Sequence, residues 1–166
     1  GFAKCGGNYA ASMVAQQEAE AAGCSQVAFL DAVERRYIEE LGGMNMFVVM
    51  ADGTVRTPEL SGVILEGGTR SAILRLLRDE GVDVREEKIA LSEVVDGIRS
   101  GAVAEVFACG TAAVVTPITR LGSDDFDVEL EVGNKTREIH RRLTDIQWGR
   151  AEDPYGWMYQ LVPPRV

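Results

Sequence analysis

The sequence is short of the residues that build most familiar metal and nucleic-acid sites. It holds one histidine and three cysteines (Cys5, Cys24 and Cys109) with no C-x-x-C spacing. That pattern excludes a disulfide scaffold and a zinc knuckle, no metal is expected, and a reducing cytoplasm is the expected compartment. Lys4, Lys88 and Lys135 are its only lysines, and 17 basic residues face 26 acidic ones for a formal net charge of -9. A chain so acidic has no basic face with which to neutralise phosphates, so neither nucleic acid nor an anionic membrane surface is an expected partner. No apolar run approaches the ~20 residues of a membrane helix. What the sequence does have is 46% hydrophobic and 26% charged residues over 166 positions, enough for a packed core in one ordinary domain.

Apolar spacing reads as alternating helices and strands. A helix is expected from Asn8 to about Ala22 with Gly23 as its left-handed stop, and strands over Gln26–Leu30 and Arg35–Glu40 before the Gly42-Gly43 turn. The continuous apolar run Met46–Met50 reads as a buried strand, with a hairpin turn at Ala51–Thr54. A short strand is expected at Val63–Leu65. A helix from Thr69 to Glu80 follows, with Ile73, Leu74, Leu76 and Leu77 turned inward. Then come a strand over Val82–Ile89, a helix to Arg99 capped by Ser92, strands at Glu105–Ala108 and Ala113–Ile118, and an acidic surface turn at Ser123–Asp125. The last helix runs from about Lys135 to Trp148 on an Ile139, Leu143, Ile146 stripe. There is no repeat and no linker, so residues 1–166 read as one α/β unit.

Four short motifs stand out. Lys4-Cys5-Gly6-Gly7-Asn8-Tyr9 places a lysine before two glycines; it is not a phosphate loop, because no Gly-Lys-Ser/Thr follows. Glycines let the backbone turn sharply beside a bulky ligand, and a desolvated lysine condenses readily with an aldehyde. A lone lysine is otherwise a solvated charge. Glu39-Glu40-Leu41-Gly42-Gly43-Met44-Asn45 ends a strand in a glycine turn, and strict alternation puts Glu39 and Glu40 on opposite faces. Gly67-Gly68-Thr69-Arg70 offers backbone N–H groups and a hydroxyl at a helix start, either an anion site or a plain cap. Cys109-Gly110-Thr111-Ala112-Ala113 presents backbone N–H groups after a strand. A Cys109–His140 hydrolase is disfavoured, since Cys109 sits in a small-residue run that reads as buried and His140 on an Arg-rich surface.

Taken in order, K-C-G-G-N-Y, E-E-L-G-G-M-N, L-E-G-G-T-R and E-V-F-A-C-G-T-A-A resemble the branched-chain amino acid aminotransferases, class IV enzymes dependent on pyridoxal phosphate. The closing D-I-Q-W-G-R-A-E-D-P-Y-G-W-M is also similar to that family. The resemblance implies the mixed α/β large C-terminal domain of fold type IV enzymes, a pseudo-barrel of strands flanked by helices. It implies that Lys4 bonds the cofactor aldehyde and carries a proton, that Tyr9 hydrogen-bonds the cofactor's phenolic oxygen, and that Glu40 pairs with its pyridine nitrogen. Gly68, Thr69 and Thr111 match phosphate contacts, and Thr111–Ala112 matches the turn that receives the substrate carboxylate. Glu66 and Gly67-Gly68 depart from the family's usual proline and bulkier residue without removing an N–H.

The activity so implied is transfer of the amino group of leucine, isoleucine or valine to 2-oxoglutarate, giving a branched 2-oxo acid and glutamate, in a homodimer. The family's N-terminal small domain is missing from this chain, which opens on Gly1 and reads as a piece of something longer that by itself is inactive. Two alternatives stay open: a sister class IV enzyme (a D-amino acid aminotransferase or aminodeoxychorismate lyase), and a non-catalytic cofactor-binding fragment.

Overall fold

A computed structural model describes residues 3–159 and 161. The chain enters through a 3₁₀ turn at Gly6–Tyr9 and helix α1, Ser12–Ala21. The helix expected from Asn8 thus begins only at Ser12, with Asn8 and Tyr9 in the 3₁₀ turn; α1 buries no residue, and Met13 and Val14 are exposed. Gly23 does take the left-handed conformation, at φ 79°. Strands β1 (Ala28–Leu30) and β2 (Ile38–Leu41) form an antiparallel ribbon with a bulge between Phe29 and Leu30.

The strand expected from Arg35 begins only at Ile38. The Asp31 carboxylate explains the difference: it accepts hydrogen bonds from the backbone N–H groups of Glu34, Arg36 and Tyr37. These bonds hold Asp31 down at about 2 and wind the segment into a loop with Arg35 at φ 53°.

The main sheet follows. Strands β3 (Asn45–Met50) and β4 (Val55–Pro58) form the expected hairpin, helix α2 (Gly68–Asp79) crosses over, and β5 (Val84–Glu87) returns parallel to β4. Helix α3 (Leu91–Ser100) leads into β6 (Val103–Gly110) and β7 (Val114–Ile118), completing the order β5-β4-β3-β6-β7. Both faces of this mixed sheet are covered, which is why the β3 run is continuously apolar. Phe47 and Val49 pack with Ile73 and Leu77 of α2. Met46 and Val48, one position out of phase, pack with Ile38, Leu41 and Val94 of α3. Phe47 also stacks on its cross-strand partner Phe107, with ring centroids 4.9 Å apart.

Two expectations fail locally. Val63–Leu65 is not a strand but part of an irregular loop after β4, since it has no strand partner. Ser92 lies inside α3, whose N-cap is Ala90. The acidic turn at Ser123–Asp125 joins a hairpin the periodicity did not reveal, β8 (Arg120–Gly122) and β9 (Asp127–Glu129), clasped by Arg120 and Asp127.

The closing helix α4, Asn134–Gln147, buries Ile139, Leu143 and Ile146 against the first face, as its spacing predicts. Its N-terminus is held by a distant residue. The buried Glu105 of β6 accepts from the backbone N–H groups of Lys135 and Thr136 at 2.9 and 2.7 Å. Gly133 is required beside it, because a Cβ there would run into the Glu105 carboxylate. Glu105→Ala should therefore cost about 2 kcal/mol, through lost charge-assisted capping and two stranded amides. A chemical-denaturation midpoint within error of wild type would refute that.

Candidate functional site

The register of the sheet gathers the motifs at one end. Asn45 pairs with Cys109, and Val48 pairs with Arg56, so the start of β3 lies beside the ends of β4 and β6. The E-L-G-G-M-N turn, the loop into α2 and the Thr111 turn all leave the sheet there.

The first cavity, of about 400 Å³, is lined by Tyr9, Phe29, Glu39, Glu40 and Leu65. Tyr9 is partly buried, and its carbonyl accepts from the Ser12 hydroxyl at the start of α1. Glu40 is partly buried on β2 opposite Phe29. Burial pushes its carboxyl above the ordinary range, and the Glu39 charge adds to the rise, while a hydrogen bond from the Leu65 backbone opposes it. Glu39 is raised as well, by burial and by Asp31.

Alternation does not separate the two carboxylates cleanly. Ile38 and Leu41, three apart, both enter the core, and Glu39 and Glu40 between them are both half-buried. The β1–β2 bulge breaks the period of two. Glu39 stands on the wall between this cavity and a neighbouring one of about 290 Å³ bordered by Tyr37 and Lys88. The Leu65 backbone lowers Glu40 and is not among the groups that act on Glu39.

The second cleft, of about 550 Å³, brings together Gly68, Thr69 and Thr111 with Arg75 and Trp157. Helix α2 begins one residue before Thr69, on Gly67 as N-cap, and no side chain caps it. Thr69 is thus not the cap but a first-turn residue in the cleft, leaving the helix-start amides and dipole for an anion. Thr111 and Ala112 are exposed on the β6–β7 turn; Thr111 borders this cleft and Ala112 does not. Arg75 pairs with Asp79 at 3.1 Å, and in the sequence only that i,i+4 acidic partner marks it.

The two spaces are joined by the Leu65–Gly67 turn. Leu65 borders the first together with Glu40, whose carboxyl its backbone lowers, while its carbonyl accepts from Asn45 Nδ2 at 2.9 Å. Gly67 sits at φ 75°, where a Cβ would collide with Asn45 Oδ1. In the sequence Asn45 is only the last residue of a motif, and nothing in the local pattern shows what it grips.

Lys4 is exposed on the segment before the 3₁₀ turn; its neighbour Ala3 borders the first cavity, and Lys4 does not line it. Cys109 is fully buried in β6, where burial pushes its thiol up to about 12, and His140 is exposed on α4. A thiol held neutral in this way is no nucleophile.

The family model described as amino-transferase class IV matches residues 4–121, and the chain belongs to that family. Within it, the chain is 49% identical over 167 residues to a branched-chain-amino-acid aminotransferase of Mycobacterium tuberculosis, covering 97% of this chain and 45% of that protein. The solved branched-chain amino acid aminotransferase of Escherichia coli superposes with a TM-score of 0.80 at 34% identity, over 96% of this chain and 50% of that one. Another solved branched-chain amino acid aminotransferase, from T.th. and complexed with N-(5'-phosphopyridoxyl)-L-glutamate, gives 0.81 at 33% identity, over 95% and 50%. The chain corresponds to the C-terminal part of these relatives and spans about half their length.

Proposed function

We propose that this chain is the cofactor-bearing domain of a branched-chain amino acid aminotransferase that uses pyridoxal phosphate, acts on leucine, isoleucine or valine with 2-oxoglutarate, and works as a cytoplasmic homodimer. One observation carries the reading. A half-buried carboxylate beside a tyrosine is tied through one short turn to an uncapped helix start facing a threonine. That spacing of one acidic and one anion-binding end fits a ring with a basic nitrogen and a phosphate. The named likeness to branched-chain enzymes, one solved with a phosphopyridoxyl compound, supports the cofactor and substrate class.

Glu40 would hold a proton on the pyridine nitrogen, and a carboxylate raised by burial gains more from such a cation than a solvated one does. Tyr9 would hydrogen-bond the ring's phenolic oxygen. The amides of Gly68 and Thr69, with the hydroxyls of Thr69 and Thr111, would hold the phosphate, and the Thr111–Ala112 turn would receive the substrate carboxylate. Lys4 Nζ would bond the aldehyde and, once the substrate amine has displaced it, the freed amine would take the proton from the substrate α-carbon. Bound pyridoxal phosphate supplies the electron-withdrawing ring that accepts the electron pair left on that carbon. The apolar surface of Met13 and Val14 on α1 is where the rest of the enzyme or a second subunit would pack.

The test is amino transfer by the full-length gene product at neutral pH, with the three branched-chain amino acids and D-alanine offered separately alongside 2-oxoglutarate. Glutamate formed from the branched substrates is the expected result. Turnover of D-alanine alone points to a sister enzyme, and cofactor uptake without turnover points to a binding fragment. Sedimentation of the same preparation as a monomer would remove the homodimer.

A further inference from the structure

Asn45 is nine-tenths buried at the start of β3, five residues after Glu40 and across the Gly42-Gly43 turn. That turn is closed by reciprocal backbone bonds between Leu41 and Met44, so the spacing between the two side chains is set by the motif itself. Both act on Leu65, on successive peptide units: the Leu65 backbone amide lowers the Glu40 carboxyl, and Asn45 Nδ2 donates to the Leu65 carbonyl at 2.9 Å. Two residues on, Gly67 packs its Cα face against Asn45 Oδ1, in a backbone conformation only glycine adopts without strain. Gly67 is also the N-cap of α2, and its carbonyl accepts the first helical bond, from Ser71.

We propose that Asn45 is a positioning residue for the cofactor site: by gripping the Leu65–Gly67 turn it holds the Leu65 amide on Glu40 and the anion-binding start of α2 in fixed relation. The proposal rests on the pyridoxal phosphate reading above. A rigid ring joined to a phosphate needs its two ends met at one separation, and a single side chain contacting both ends of the turn sets that separation. The alternative, that Asn45 merely satisfies a buried carbonyl, predicts a stability loss and nothing more.

The experiment compares Asn45→Ala, Asn45→Leu and Thr57→Val in the full-length protein. Thr57 is the control: it is wholly buried in the adjacent strand, and its hydroxyl donates to the Met46 carbonyl without touching the site. Three quantities are read: the Glu40 titration by carbonyl-carbon NMR, with neighbouring Glu39 followed in parallel; the Gly68 and Thr69 amide shifts; and the dissociation constant of pyridoxal phosphate. Both Asn45 variants should raise the Glu40 pKa, move both amide shifts and weaken cofactor binding about tenfold, the scale of one lost buried hydrogen bond. Thr57→Val should lower the melting temperature and leave all three unmoved. Gly67→Ala should copy the Asn45 variants.

If the Asn45 variants behave like Thr57→Val, or if one end of the turn responds without the other, the proposal is overturned. Should Asn45→Ala fail to fold, Asn45→Leu decides, since it keeps the volume, loses the donor and adds no charge. If the unaltered enzyme takes up no pyridoxal phosphate, the functional reading fails, and the Glu40 titration with the amide shifts still decides the role of Asn45.

Discussion

Lys4→Ala in the full-length enzyme should abolish the borohydride-fixable bond between protein and cofactor and lower amino transfer by several powers of ten. The size follows from one side chain serving two roles, nucleophile toward the aldehyde and proton carrier at the substrate α-carbon, so that both are lost together. The other two lysines have no such setting. Lys88 lies over the Tyr37 ring, at 5.0 Å from its centroid, and Lys135 pairs with Glu138 on α4. Peptide mapping of the reduced holoenzyme reads the outcome directly. A label on Lys88 or Lys135 would remove Lys4 from the site.

Glu40→Gln should keep the cofactor bound and slow the reaction by about two powers of ten or more, the usual scale for a positioned proton-holding group. A neutral amide does not retain a proton on the pyridine nitrogen as a carboxylate does. The same substitution should stabilise the cofactor-free protein at neutral pH. Burial raises the Glu40 carboxyl above its unfolded value, so the folded state binds its proton more tightly. The ionised group therefore destabilises the fold above that raised pKa, and this penalty vanishes as pH falls below the unfolded value. Melting curves of wild type and Glu40→Gln should accordingly converge in acid and separate toward neutrality, with the variant melting higher. Equal melting at neutral pH together with a wild-type rate would transfer the role to Glu39.

Much of the fold was legible because its elements bury clear stripes. The inward faces of α2 and α4 follow the 3.6-residue period, and the apolar β3 run announced a strand covered on both sides. The errors fall where side chains reach across the chain and override local pattern. Asp31 gathers three amides and delays β2. Asn45 and Gly67 fix where α2 starts, so Thr69 is not its cap. The β1–β2 bulge leaves Glu39 half-buried beside Glu40 where alternation had parted them.

By itself the sequence determined the order of helices and strands apart from Val63–Leu65 and the β8–β9 hairpin, the acidic character that argues against nucleic acid, and four motifs specific enough to point to the class IV aminotransferases. Those are properties of composition and near neighbours, which a linear chain displays directly. Only the tertiary structure decided that Glu40 and Asn45 both act on the backbone of Leu65, and that Gly68, Thr69 and Thr111 share a cleft while Ala112 lies outside it. The reason is register: antiparallel pairing of β3 with β4 and β6 brings residues some twenty to sixty-five positions apart to one end of the sheet, and no local pattern records which strand ends will meet.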